Sequence, residues 1–164
     1  MNLQYHQPIL PGETYHLFSR AIGFEKLFVT EDNYRFFLEK FFHHVSPVAD
    51  LYTYTMLPNH FHLLARIKPA EEFADYFQYF KQKPIDHATD LPDFITERFS
   101  NWLNSYTKSF NKVYKRRGSL FLDRIKRSRA LTDKDFCNFL FYVHKNAVHH
   151  NYTKAIGHGM DIRN

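Results

Sequence analysis

A chain of 164 residues has room for one hydrophobic core and not two, so a single domain is expected over 1–164, with its core at about 14–150. One cysteine, Cys137, excludes an internal disulfide framework and cysteine-based zinc fingers, and no run approaches the roughly 18 apolar residues of a membrane span. The net charge is +5, no positively charged segment precedes an apolar run at the start, and the chain reads as cytoplasmic.

The first strand candidate is Thr14 to Arg20. Thr30 is a plausible N-cap, with Glu31 and Asp32 in the first turn of a helix that continues through Tyr34, Phe37, Leu38, Phe41 and Phe42. Two short runs, Asp50 to Leu57 and Phe61 to Lys68, flank Pro58-Asn59 and read as a hairpin. Glu71 to Lys83 is helical in pattern, Pro84 to Pro92 reads as a loop, and Phe94 to Arg116 as a long helix ended by Gly118. Leu120 to Leu131 alternates like a strand. Thr132 with Asp135 makes a capping-box start for a last helix to about His150. Without that helix the order is βαββαβ. The fold class is therefore α+β: a ferredoxin-like antiparallel sheet with helices packed on it, plus a C-terminal helix.

Charge is concentrated rather than spread. From Lys108 to Arg129 nine basic residues stand against Asp123 alone, with Tyr106, Phe110, Tyr114 and Phe121 interleaved or adjacent. That mixture suits a polyanion with stackable bases; it would also suit a solvated helix face followed by a charged edge strand.

Two groups of residues carry chemistry. In Leu57-Pro58-Asn59-His60-Phe61-His62, the two-residue period of a strand turns His60 and His62 to one face and Phe61 to the other. Two imidazoles so placed can share a divalent metal, although in a chain with 11 His such a pair also arises by chance. On the last helix Phe136, Phe139, Leu140, Val143 and Ala147 form the packing face, and Tyr142 and Asn146, at i and i+4, share its flank. His43-His44 and His149-His150 are poor chelates, because neighbours on a helix point about 100° apart.

In combination these features resemble the single-tyrosine HUH transposases, and among them the REP-associated tyrosine transposases. The resemblance runs in order from about Tyr15 to Val148. It takes in Phe18-Ser19-Arg20, the strand ending Leu57-Pro58-Asn59-His60-Phe61-His62, the stretch Gly118-Ser119-Leu120-Phe121, and Tyr142 with Asn146. Ala147 departs from it, standing where the family has Pro after the Asn, and so lets the helix continue.

The resemblance implies a fold, a reaction and a site. His60, His62 and Asn146 would hold a divalent metal, Mg²⁺ or Mn²⁺, and Tyr142 would be the nucleophile that cleaves single-stranded DNA near a hairpin. A 5′-phosphotyrosine and a free 3′-OH would result, and rejoining would follow. A phenol is mostly protonated at neutral pH, so the nucleophile needs a cation or base nearby. Lys108, Lys112, Arg116, Arg117, Arg124 and Arg127 are the expected DNA contacts, and the enzyme would act as a monomer or homodimer with no membrane partner. Two alternatives stand beside it: a metal-dependent nuclease in which Tyr142 is structural, and a domesticated, non-catalytic binder of hairpin nucleic acid.

Overall fold

The computed structural model describes residues 3–149. After a short 3-10 helix at Leu3–His6 the chain forms β1 (Thr14–Arg20), α1 (Glu31–His44), β2 (Ala49–Leu57), β3 (His60–Ile67), α2 (Ala70–Lys81), α3 (Asp90–Val113), β4 (Lys126–Arg129) and α4 (Asp133–His149). The strands lie in the order β2-β3-β1-β4 with every pairing antiparallel, which is the ferredoxin-like arrangement. The expected helix end at His150, and the side chains of the His149-His150 pair and of Ala147, lie outside the described residues.

The sheet separates two environments. Leu17 of β1 and Phe61, Leu63, Ala65 and Ile67 of β3 are fully buried in the main core, which α1 and α3 also line. Phe37 sits at its centre, with Trp102 at 4.5 Å, Tyr106 at 4.8 Å, and Phe28 and Phe61 each at 5.1 Å between ring centroids. The indole N–H of Trp102 donates to the Phe37 carbonyl at 3.0 Å, so the largest ring is buried without orphaning its donor. The opposite face of the sheet carries His16, Phe18, His60 and His62, and α4 packs there against β2 and β3.

Local signals explain most boundaries. Thr132 and Asp135 form the expected box at the start of α4: Asp135 accepts from the Thr132 amide at 3.0 Å, and its own amide donates to the Thr132 hydroxyl at 3.1 Å. Helix α3 starts at Asp90, earlier than Phe94. The Asp90 carboxylate accepts from the amides of Asp86 and His87, and Pro92 falls in the first turn, where a missing N–H leaves no bond unmade.

The strand expected over Leu120 to Leu131 is shorter. Only Lys126–Arg129 pairs with β1, and Phe121 makes one isolated bridge to Ala21. Between these points two residues of β1, Ser19 and Arg20, face four, Leu122 to Ile125. The surplus bulges away from the ladder, as a two-residue excess must.

Strand alternation also reassigns Arg127. It pairs with Leu17, on the core side, and is buried. Its guanidinium donates to the carbonyls of Gln7 at 2.6 Å, His6 at 2.9 Å and Ile125 at 3.1 Å. Arg127 therefore ties the segment after the 3-10 helix to the sheet edge and is not on the surface, where a DNA contact would have to be. Arg127→Ala should lower stability by about 2–3 kcal/mol, since it strands buried carbonyls. Urea unfolding measures this, and a loss under about 0.5 kcal/mol would mean those bonds hold nothing.

Candidate functional site

The site grows from the face of β3 that the core does not use. Phe61 points inward, so His60 and His62 share the outer face, with ring centroids 5.4 Å apart and planes at 88°. Each imidazole is fixed by a neighbour. His60 Nδ1 lies 2.7 Å from Asn59 Oδ1, an atom that only accepts, so that nitrogen carries the proton and Nε2 the lone pair. His62 Nδ1 lies 2.8 Å from His16 Nε2, and the two rings stack at 5.0 Å with 15° between planes. Burial lowers the His16 pKa to about 4 and keeps that ring neutral at neutral pH. When His62 donates through Nδ1, its Nε2 carries the lone pair that a metal would take. Such hydrogen bonds orient metal-binding histidines in general.

Around the pair lies a cleft of about 450 Å³, lined by Phe18, Ser19, Arg20, Asn59, His60, His62, Asp123 and Lys126. Arg20 is the register partner of His60, and Lys126 that of Phe18, so both cations stand on the histidine face. Asp123 enters from the bulge and pairs with Lys126 at 2.9 Å, and that ammonium holds its carboxyl below the usual range.

Helix α4 crosses this face in a fixed register. Phe136 meets Tyr52 edge-on at 5.6 Å, Phe139 lies 5.3 Å from His16, and Tyr142 lies 5.3 Å from His62 and 5.4 Å from His16. The Thr55 hydroxyl donates to the Val143 carbonyl, and Thr55 is the register partner of His62. A helix advances roughly 1.5 Å per residue and a strand roughly 3.3 Å, so Phe136 to Val143 travels about as far as Tyr52 to Thr55. The next turn brings Asn146 toward the rung of Leu57 and His60.

Tyr142 is 43% exposed, whereas Asn146 is only 1% exposed. Both polar atoms of the Asn146 side chain are buried without a hydrogen-bond partner among the described residues. An amide in that state costs on the order of 1–3 kcal/mol unless something else satisfies it. Among the described residues no three His, Cys, Asp or Glu side chains gather as a metal site, so a cation beside His60 and His62 would need a ligand of another type. The orphaned amide oxygen of Asn146 fits that need, and two imidazoles with one amide oxygen form a mixed N/O set suited to Mn²⁺ and tolerable for Mg²⁺.

The basic segment divides. Lys108, Lys112, Arg117 and Arg124 are exposed. The half-buried Arg116 donates through its terminal nitrogens to Asn111 Oδ1 at 2.6 Å and the Ser119 carbonyl at 3.1 Å, and pairs with Glu25 at 3.3 Å, so its charge is engaged in joining the end of α3 to two loops. Sequence reasoning missed His16, Arg20, Asn59 and Lys126. For His16 and Arg20 part of the signal was available, since alternation along His16-Phe18-Arg20 sets them on one face of β1; that this is the histidine face, and that Lys126 shares it, follows only from the strand pairing.

Neither a protein-family model nor a curated protein sequence matches the chain. Solved structures do. A REP-associated tyrosine transposase bound to a REP hairpin superposes with a TM-score of 0.65 at 13% identity, over 91% of this chain and 74% of that one. A proposed transposase from Deinococcus radiodurans R1 gives a TM-score of 0.46 at 15% identity, over 85% of this chain and 94% of that one. No helix among the described residues is long and apolar enough to cross a membrane. With an α+β sheet in the order β2-β3-β1-β4 and a C-terminal helix laid over its histidine face, the chain has the fold of a REP-associated tyrosine transposase.

Proposed function

We propose that this protein is a single-stranded DNA transposase of the single-tyrosine HUH class, cleaving and rejoining DNA beside a hairpin. One observation carries the reading. Tyr142 stands half-exposed over His62, one turn before a buried Asn146 whose amide has no hydrogen-bond partner among the described residues. A tyrosine kept for packing would be covered, and an asparagine kept for structure would be bonded.

The residues divide the work. His60, His62 and Asn146 would hold the divalent cation, which when bound supplies Lewis-acid polarisation of the scissile phosphate. Asn59 and His16 orient the two imidazoles. Arg20 and Lys126 border the same cleft and give a phosphate cationic partners. Tyr142 gives its phenolic proton to solvent as its oxygen attacks phosphorus, the bond from phosphorus to the 3′ oxygen breaks, and that oxygen leaves as a hydroxyl with a proton from solvent. The 5′ end is then esterified to Tyr142. Attack by another strand's 3′-OH reverses the chemistry, releases the tyrosine and needs no ATP, because the ester keeps the energy of the phosphodiester. Lys108, Lys112, Arg117 and Arg124 are the backbone contacts, acting by charge and therefore sensitive to salt.

Purified protein incubated with Mn²⁺ and labelled single-stranded hairpins from the flanks of its own gene should give a DNA–protein adduct stable on denaturing gels. Tyr142→Phe should abolish the adduct and leave hairpin affinity within about twofold, while His60→Ala or EDTA should abolish cleavage. Cleavage without an adduct would identify a nuclease; tight binding without cleavage would identify a non-catalytic binder. His16→Leu should weaken Mn²⁺ binding, followed by electron paramagnetic resonance without DNA, by about 10- to 100-fold, and His16→Gln should restore part of it. Arg117→Ala should reduce the slope of log affinity against log salt by roughly 0.7 to 1, a change absent if that side chain meets no phosphate.

A further inference from the structure

Beyond Arg20 the histidine face of β1 continues as an apolar patch. Ser19 and Ala21 are buried while Arg20 and Ile22 are exposed, so alternation persists past the end of the strand. On the facing segment Phe121 is buried and Leu122 is exposed, and the Leu122 amide donates to the Arg20 carbonyl at 2.9 Å. Phe24 follows on the adjoining turn with 108% relative exposure, a phenylalanine that packs on nothing among the described residues.

That turn is braced. The Glu25 amide closes it on the Ile22 carbonyl at 3.1 Å, and Gly23 supplies the left-handed φ of +55° that it requires. The Ala21 amide donates to the Asn59 carbonyl at 2.8 Å, and those of Leu27 and Phe28 donate to the Pro58 carbonyl at 2.7 and 3.1 Å. The segment is thus strapped over the Pro58-Asn59 turn that leads into His60. Arg116 pulls Glu25 toward the Lys115–Gly118 loop. Phe24 is an exposed ring on a fixed mount, and folding does not account for it.

The surroundings are cationic. Arg20, Lys26, Lys115, Arg117 and Arg124 are exposed, while the acids nearby are engaged, Glu25 with Arg116 and Asp123 with Lys126. An aromatic ring with aliphatic neighbours in a positive field is complementary to a base on a phosphate backbone.

We propose that Phe24, with Ile22 and Leu122, seats an unpaired nucleobase flanking the phosphate held in the cleft beside His60 and His62. This rests on the DNA-strand-transfer reading above and deepens it, naming the place where a base beside the scissile phosphate stacks. Stacking tolerates any base, so the patch selects for single-stranded over paired DNA beside the hairpin rather than for a particular letter.

The test uses the full chain and a hairpin whose single-stranded flank carries 2-aminopurine at one position at a time. One flank position should be quenched on binding, and Phe24→Ala should abolish that quenching and weaken affinity on the order of 10-fold, with Phe24→Trp close to wild type. An abasic site at the same nucleotide should remove the difference between wild type and Phe24→Ala, which a merely structural effect would not do. Tm should not change, because the ring packs on nothing. Unchanged affinity and quenching in Phe24→Ala would overturn the seat while leaving tyrosine chemistry intact. So would a wild-type dimer that Phe24→Ala dissociates without effect on DNA, since the patch would then belong to a second copy. A wild type that binds no hairpin would overturn both readings.

Discussion

The ring of Phe61 lies 5.1 Å from Phe37 and 5.4 Å from Trp102, inside a cluster of aromatic rings at the centre of the core. Side chains alternate along a strand, so burying Phe61 there obliges His60 and His62 to face the other way. A slip of one residue in β3 would place two imidazoles in the core and a phenyl ring in the cleft. Burying Phe61, Leu63 and Ile67 is worth about 1.5–3 kcal/mol each, so losing all three together makes that slip prohibitive. The abundance of phenylalanine in the chain is thus tied to the site: it fixes the register that presents the histidines.

A second constraint sets helix α4 over them. Its anchors are few: buried Val143, half-buried Phe136, Phe139 and Leu140, and the bond from Thr55 to the Val143 carbonyl. That bond is made on the rung of His62, which brings Tyr142 beside the imidazoles. Asn146 works against stability among the described residues, since an amide buried without partners there is unfavourable.

The positive charge has two uses in this structure. Arg127 and Arg116 fasten segments distant in sequence, the first holding the chain after the 3-10 helix and the second joining the Glu25 turn to the loop after α3. Lys108, Lys112, Arg117 and Arg124 remain in solvent, where charge can act on a polyanion. A dense basic block is therefore a poor inventory of contacts, because guanidinium groups also satisfy buried carbonyls well.

The sequence by itself determined the element order, the βαββαβ pattern, the hairpin around Pro58-Asn59, the capping box at Thr132 and the shared face of His60 and His62. These depend on short-range rules of spacing, turns and caps. Only the tertiary structure decided that β4 shortens to Lys126–Arg129, that the bulge carries Asp123 into the cleft, and that Arg127 is buried. Strand length there depends on pairing with β1, where two residues face four, and no local pattern records that mismatch. His16 is the sharpest case: it stands 46 residues from His62 in sequence, and only the pairing of β1 with β3 sets the two imidazoles 2.8 Å apart.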